Sequence, residues 1–182
     1  MNYRLSRTFL RVLLLLALVP ILSSCSDGEQ VEKIKLGELF PVTQIARLDG
    51  GSLALESLRG KVIIFHLWAS WCEPCRTELP GIENLIKRLN PEHFVFIALS
   101  VDDDLNLLDE FKRKYAVTFA DYVDADRTIA EGILGVTAYP DTFVIDQNGY
   151  LIRRMLGRHD WDSSAMIILL EDLYEQAIEE AK

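Results

Sequence analysis

Two cysteines separated by two residues are the most reactive feature of the sequence. Cys72 and Cys75 stand in the stretch WCEPC, with Glu73 and Pro74 between them. Thiols at this spacing can form a structural disulfide, hold a metal ion, or open and close as a redox pair. A bridge that closes so short a loop removes little entropy from the unfolded chain, which disfavours a purely structural role.

The elements around the pair predict different roles for the two thiols. The apolar run Lys61–Ala69 predicts a strand buried on both faces, and the apolar spacing that follows Cys72 predicts a helix. Unpaired N–H groups and the dipole at a helix N-terminus favour a thiolate, so Cys72 is expected to be the exposed attacking thiol. Cys75, one turn into the helix, is placed to attack the resulting mixed disulfide.

Two further titratable residues accompany the motif. Glu78 follows Cys75 by three residues and shares its helical face. A carboxyl held there away from water would have a raised pKa and could carry the thiol proton, although spacing alone fits a solvated glutamate as well. His66 lies in the predicted buried strand, where a hydrogen-bonded core histidine is the usual case and proton transfer the alternative. The helical layer that its side chain faces is left open by the sequence.

The N-terminal residues resemble an export signal. Three arginines occur within the first eleven residues, and the apolar run Val12–Leu22 that follows is short for a membrane span. Leu22–Cys25, with the letters LSSC, resembles a bacterial lipobox. This resemblance implies that residues 1–24 are a signal peptide and that Cys25 carries a lipid. An uncleaved anchor helix and an ordinary cleavage site are the alternatives.

The net charge of the chain restricts the partners that it can bind by electrostatic attraction. The 182-residue chain has a net charge of −9 and no basic stripe beyond its first residues, which argues against nucleic acid. Without residues 1–24, a chain of 158 residues with a net charge of −12 remains. Such a domain would not hold to anionic lipid by electrostatics, so the lipid on Cys25 would have to anchor it. The polar residues 25–35 are interpreted as a tether and residues 36–182 as one domain.

The order of the remaining elements predicts an α/β fold. Strand, helix and strand, followed by an antiparallel hairpin and a helix, predict a mixed sheet with helices on both faces. A two-cysteine motif that opens the helix of such a unit is typical of thioredoxin-like proteins. The other predicted elements are a β-hairpin in Pro41–Gly60, a strand over Glu92–Asp102, a helix over Leu105–Tyr115 with Leu105, Leu108 and Phe111 inward, a helix over Asp124–Leu134 capped by Asp124 or Asp126, a strand pair in Asp141–Leu156, and a helix over Ser163–Ala181.

The motif and its surroundings resemble a known family. WASWCEPC resembles the thioredoxin active site, and CEPCRTELP is similar to the TlpA/ResA-like branch of membrane-tethered thiol-disulfide oxidoreductases. The Gly60–Lys61 pair, the stretch AYPDTFVIDQNG and the lipobox also fit that branch. The resemblance covers most of Leu36–Lys182. It implies a thioredoxin-like three-layer fold, in which helices cover both faces of a mixed central sheet, with an N-terminal β-hairpin extension.

The resemblance also implies roles for single residues. It makes Cys72 the attacking thiol, Cys75 the resolving thiol, Glu78 the active-site acid and Pro140 a cis-proline that faces the cysteines. The residues expected to contact substrate are Trp71, Glu73, Pro74, Tyr139 and Pro140.

Two residues depart from the pattern of the family. His66 stands where thioredoxins have aspartate and this branch often has asparagine, and Tyr139 is bulkier than the residue expected before the proline. The resemblance implies a reductant of disulfides in exported proteins, including apocytochrome c, that is reset by a membrane-borne electron donor. We expect no cofactor, no metal, a monomeric state, and a periplasm-facing or cell-surface position on a bacterial membrane.

Two other functions are alternatives to this interpretation. A thiol peroxidase related to peroxiredoxins would carry threonine or serine three residues before its cysteine, where this chain has Ala69. A copper-binding assembly lipoprotein could use Cys72, Cys75 and His159, because thiolates and imidazole suit copper. Such proteins separate their cysteines by three residues rather than two, which weighs against this alternative.

Overall fold

The central strand of the sheet is the apolar run that precedes the cysteine motif. In the computed structural model, which describes residues 34–119 and 121–180, β3 spans Val62–Trp68 and every residue in it is buried. It pairs in parallel with β4 (Phe94–Ser100) and antiparallel with β6 (Asp141–Ile145). Branched and aromatic side chains on both faces explain why this run forms a doubly covered strand, as predicted.

Two hairpins complete the sheet on either side of these strands. β1 (Gln44–Arg47) and β2 (Ser52–Ala54) form the predicted N-terminal hairpin, and β1 joins the rest of the sheet through β5 (Tyr122–Val123). β7 (Leu151–Leu156) returns antiparallel along β6. The resulting order is β2-β1-β5-β4-β3-β6-β7, which confirms the predicted mixed sheet with an N-terminal extension.

Three α-helices have bounds close to those predicted. They are α1 (Glu73–Arg88), α2 (Leu105–Tyr115) and α3 (Ser164–Glu180). A short 3₁₀ helix, Leu55–Leu58, follows β2. One prediction about α2 is wrong, because Leu105 is 43% exposed rather than inward. It is the first residue of the helix and precedes the part of α2 that lies against the core.

The predicted helix Asp124–Leu134 is also wrong in its start and type. The structure has a single π-helical turn, Thr128–Ile133, preceded by β5 and a loop. Arg127 has a left-handed conformation with φ of 58°, which interrupts any helix that began earlier. The predicted caps are nevertheless present: Asp124 accepts two backbone N–H groups of the turn, and Asp126 accepts one.

The predicted signal peptide and the lipidation residue Cys25 lie outside the described residues, as does most of the predicted tether. Ile34, near the end of that tether, packs against the core. Among residues 34–119 and 121–180, no helix combines the length and the apolar character that crossing a membrane requires.

Candidate active site

Cys72 and Cys75 are joined by a disulfide at the start of α1. Cys72 is the N-cap residue, and its Sγ accepts the backbone N–H of Cys75 at 3.3 Å. Pro74 stands in the first turn, where a missing backbone N–H leaves no helical hydrogen bond unmade. The helix N-terminus predicted for the pair is therefore confirmed, and its unpaired N–H groups lie beside the Cys72 sulfur.

The exposure of the two cysteines differs less than expected. Cys72 is 6% exposed and Cys75 is completely buried. The order agrees with an outer and an inner thiol, but the expectation of a well-exposed Cys72 is wrong for this oxidised form. In this form its sulfur is bonded to that of the completely buried Cys75.

An aromatic surface adjoins the disulfide. Trp71 is exposed, and its ring meets the half-buried ring of Tyr139 edge to face, with centroids 5.9 Å apart. The guanidinium of Arg127 lies 5.7 Å from the Trp71 ring centre. The peptide bond between Tyr139 and Pro140 is cis, as predicted. Glu73 is exposed beside this surface. The structure thus brings Trp71 and Tyr139, two residues predicted to bind substrate, into contact.

Glu78 is buried beneath the motif. Its Oε2 atom accepts the indole N–H of Trp161 at 2.8 Å and the backbone N–H of His159 at 3.1 Å. Burial raises the pKa of Glu78 to about 7, although the two donors favour the charged carboxylate and oppose part of that rise. A carboxyl with this pKa exists in both protonation states near neutral pH, as proton transfer requires.

The ring of His66, a residue of β3, lies between Glu78 and Thr142 of the neighbouring strand β6. Its Nδ1 atom is 2.9 Å from the hydroxyl of Thr142, and its Nε2 atom is 3.3 Å from Oε1 of Glu78. Burial, with a smaller contribution from the nearby His159, lowers the pKa of His66 to about 3. The imidazole is therefore neutral at pH 7, so its closeness to Glu78 does not make an ion pair. The side chain faces α1, which answers the question that the sequence left open.

Another buried carboxyl, that of Asp102, is hydrogen-bonded to the residues just before the motif. It accepts the backbone N–H of Ser70 at 2.9 Å and the hydroxyl groups of Ser70 and Ser100, both at 2.6 Å. These bonds fix the turn that leads from β3 into Cys72. The sequence interpretation missed this residue, although residues that end neighbouring parallel strands meet at one edge of a sheet.

The loop Gly157–Ser163, between β7 and α3, contributes both to the last helix and to the site. Ser163 accepts the backbone N–H of Met166 at the start of α3. The same loop supplies both hydrogen-bond donors of Glu78, from His159 and Trp161. No periodicity or spacing in the sequence indicates these contacts.

The alternative copper site of Cys72, Cys75 and His159 is not formed among the described residues. No three histidine, cysteine, aspartate or glutamate side chains in residues 34–119 and 121–180 lie close enough together to hold a metal ion. Cys72 and Cys75, its two sulfur ligands, are instead bonded to each other.

Comparison with known proteins places the chain among thiol-disulfide oxidoreductases. The model of the AhpC/TSA family matches residues 36–154. Thiol-disulfide oxidoreductase ResA of Bacillus thuringiensis (strain Al Hakam) is 29% identical over 126 residues, which make up 69% of this chain and 72% of that protein. ResA of Bacillus subtilis (strain 168) is 28% identical over 156 residues, or 83% of this chain and 86% of that protein.

Solved structures agree on the fold. The crystal structure of a thiol:disulfide interchange protein, DsbE, from Chlorobium tepidum superposes with a TM-score of 0.66. It is 24% identical in sequence, and the match covers 82% of this chain and 99% of that one. The predicted thioredoxin-like fold is thereby confirmed.

Proposed function

Because the chain belongs to the AhpC/TSA family and is a thiol-disulfide oxidoreductase of the ResA type, we propose that it reduces disulfides in exported proteins. The observation that carries this proposal is the Cys72–Cys75 disulfide at the start of α1, three residues before the buried carboxyl of Glu78. A thiol pair and a buried acid at these positions have the groups that dithiol-disulfide exchange needs.

Cys72 acts first in the proposed reaction. Its thiolate attacks one sulfur of the substrate disulfide, and the other substrate sulfur leaves as a thiolate. Cys75 then loses its proton and attacks the Cys72 sulfur, which releases the second substrate thiolate. One proton from Cys75 and one from solvent complete the transfer of two electrons and two protons to the substrate. The enzyme is left with the disulfide that this structure contains.

Glu78 is the proposed acceptor of the Cys75 proton. The two residues lie three positions apart on α1 and are both buried. A base is most effective when its pKa lies near the working pH, and burial raises the pKa of Glu78 to about 7. In the inner position of Cys75, where water has little access, a protein carboxyl is the more suitable acceptor.

The substrate is proposed to bind across the aromatic surface beside the disulfide. Trp71 and Tyr139 form its wall, and the backbone of Tyr139 would pair with an extended segment of the partner. Glu73 and Pro74, which are exposed in the first turn of α1, would contact the same segment, with Pro140 behind them. Apocytochrome c, which must present reduced cysteines before haem attachment, is a proposed substrate.

We further propose that a lipid on Cys25 anchors the protein to the periplasmic or outer face of a bacterial membrane. The lipobox-like LSSC stretch and the acidic domain support this, because the net charge of −9 gives no electrostatic attraction to anionic lipid. A membrane-borne electron donor would reduce the Cys72–Cys75 disulfide after each turnover. The protein would act as a monomer and without a cofactor.

Radiolabelled palmitate should enter the wild-type protein but not the Cys25→Ser variant. This variant should also be lost from the membrane fraction.

The reduction potential of the Cys72–Cys75 pair tests the reducing direction. We expect the purified protein, equilibrated against glutathione buffers, to have a potential below about −200 mV. A value near about −120 mV, typical of a strong oxidant, would contradict the reducing role.

Trapping tests the roles of the two thiols. Cys75→Ser should accumulate mixed disulfides with its substrates, because the resolving attack is lost. Cys72→Ser is the matched control and should accumulate none. Equal trapping by both variants would contradict the assignment of Cys72 as the attacker.

A further inference from the structure

Three buried groups form a row that ends at the carboxyl of Glu78. Oε1 of Glu78 and Nε2 of His66 face each other at 3.3 Å, and within the described residues neither atom has a well-aligned hydrogen bond. On the other side of the ring, Nδ1 lies 2.9 Å from the Thr142 hydroxyl. All three side chains are buried, so water has little access to them.

Each member of this row can donate or accept a hydrogen bond. A neutral imidazole carries one N–H and one bare nitrogen, and which nitrogen is protonated depends on its partners. A threonine hydroxyl can turn to donate or to accept. A carboxyl accepts when it is ionised and donates when it is protonated.

We propose that His66 and Thr142 are positioning residues that hold Glu78 in both of its protonation states, through a change of the His66 tautomer and a rotation of the Thr142 hydroxyl. The proposal concerns thiol-disulfide exchange in either direction, so it does not depend on the reducing role proposed above.

The two states differ by one proton. In the carboxylate state, the Thr142 hydroxyl donates to Nδ1, and Nε2–H of His66 donates to Oε1 of Glu78. In the acid state, Oε1–H donates to Nε2, and Nδ1–H donates to the Thr142 hydroxyl oxygen. Glu78 gains the proton, the imidazole moves its own proton from Nε2 to Nδ1, and the ring remains neutral throughout. The proton gained is the one that Cys75 loses before its attack.

The surrounding charges favour a neutral ring. His159 lies close enough to His66 for its positive form to oppose a second positive charge, and burial opposes that charge more strongly. Arg158 favours the carboxylate of Glu78, which keeps the acid state from being permanent. Cys75, on the same face of α1, carries no titrating proton in the disulfide form. In the oxidised protein, Glu78 is therefore the group in this row that gains or loses a proton.

The alternative is that His66 is a core residue with one fixed tautomer. A fixed Nδ1–H tautomer would leave a bare Nε2 opposite a carboxylate, and a fixed Nε2–H tautomer would set a donor against the protonated acid. Either arrangement loses a buried hydrogen bond in one state, which would confine Glu78 to the other state. A switching tautomer avoids this loss.

Nuclear magnetic resonance of the oxidised protein tests the proposal directly. Nitrogen-15 shifts of the His66 ring distinguish a protonated from a bare nitrogen, and the carboxyl carbon of Glu78 reports its ionisation. Across about pH 5 to pH 9, the two ring nitrogens should exchange roles with the same midpoint as the Glu78 carboxyl, without formation of an imidazolium. A single tautomer throughout that titration, or an imidazolium, would overturn the proposal.

Variants at position 142 provide a matched test. Thr142→Val keeps the shape of the side chain and removes the hydroxyl, whereas Thr142→Ser keeps the hydroxyl. Valine should leave His66 in one tautomer and shift the midpoint of the pH–rate profile for the resolving step by about one unit. Serine should retain the switch and the wild-type profile. Coupled titration that persists in the valine variant would exclude Thr142 from the row.

A variant at position 66 separates the two contacts of the ring. His66→Asn places an amide near the former Nδ1, within reach of Thr142, and removes the partner of Glu78. The midpoint of the Glu78 titration should rise, because the charge-assisted bond that the carboxylate loses at Oε1 is stronger than the neutral bond that the acid loses there. An unchanged midpoint in a folded variant would show that His66 does not act through Glu78.

Discussion

Two of the buried carboxyls, those of Asp102 and Glu78, belong to the surroundings of the cysteine motif, and their hydrogen-bond partners differ. Both oxygens of Asp102 have donors, from the backbone of Ser70 and from the hydroxyl groups of Ser70 and Ser100. Glu78 has two donors at Oε2, whereas Oε1 faces His66 and has no aligned donor among the described residues. The two carboxyls are about equally buried, each with 3% exposure.

Burial alone therefore does not make a carboxyl suitable for proton transfer, since the two are equally buried and differ in their hydrogen-bond partners. Both oxygens of Asp102 are already engaged by donors, and its bonds serve to fix the turn before Cys72. Oε1 of Glu78 instead faces an imidazole that can donate or accept, which leaves a place where a proton can arrive and leave. One carboxyl thus positions the attacking sulfur, and the other is suited to exchange a proton with its neighbour.

Removing Asp102 should give the largest loss of stability. Asp102→Ala leaves one backbone N–H and two hydroxyl groups without their acceptor in a buried or half-buried position, so we expect the free energy of unfolding to fall by about 3 to 5 kcal/mol. Urea unfolding at pH 7 measures this change. Asp103→Ala, at the exposed neighbouring position, is the control and should have little effect. A loss below about 1 kcal/mol for Asp102→Ala would contradict the positioning role.

Replacing Glu78 should change the pH dependence of stability. Its pKa is raised from 4.5 to about 7 in the folded protein, so the unfolded chain loses this proton first as pH rises. The wild-type free energy of unfolding should therefore fall by about 3 kcal/mol between these pH values, relative to Glu78→Gln. Unfolding curves measured from acid to alkaline pH give this difference.

The control for the pH effect is Glu92→Gln, at an exposed position, which should keep the wild-type dependence. His66 contributes with the opposite sign, since its lowered pKa destabilises the folded state as pH falls below 6.5. Subtracting the Glu78→Gln curve from the wild-type curve removes most of that contribution. A flat difference would show that Glu78 is not perturbed by burial.

Removing one of the two hydrogen-bond donors of Glu78 should raise the pKa of its carboxyl further. Trp161→Phe deletes the indole N–H that stabilises the carboxylate at 2.8 Å. We expect the Glu78 pKa to rise by about one unit, equivalent to about 1.4 kcal/mol, in a carbon-13 titration. A lowered pKa would indicate that water enters the space left by the smaller ring.

Removing one donor from Asp102 should have the smallest effect. Ser100→Ala deletes one of the two hydroxyl groups that Asp102 accepts and should reduce the free energy of unfolding by about 1 kcal/mol. The Glu78 titration should be unchanged in this variant. A shifted Glu78 midpoint would mean that the two carboxyls are coupled and that the comparison between them fails.

Much of the fold could be predicted because its signals are local. The apolar run of β3, the apolar spacing of α1 and the turn between β1 and β2 each depend on neighbouring residues. The resemblance to thioredoxin-like proteins supplied the cis bond before Pro140, which the structure confirms. Leu105 was misplaced because periodicity identifies the buried face of a helix but not the point where that face leaves the core.

The surroundings of the site could not be predicted in the same way. Trp161 lies 83 residues from its acceptor Glu78, and Thr142 lies 76 residues from His66. No periodicity or spacing rule joins positions so far apart, and only the folded sheet and loops bring them together. The π-helical turn was missed for another reason, since nothing in the composition around Arg127 indicates its left-handed conformation.

The place where the described chain enters the sheet determines how the domain would present its disulfide. The backbone N–H of Gly37 donates to Leu151 and that of Phe40 to Gly149, beside the turn between β6 and β7. This edge lies at the opposite end of the sheet from the disulfide, roughly 20 Å away along a seven-residue strand. The proposed lipid on Cys25 would therefore join the domain at the end away from the disulfide, and the proposed membrane-borne electron donor would have to reach the far end of the sheet to reduce Cys72–Cys75.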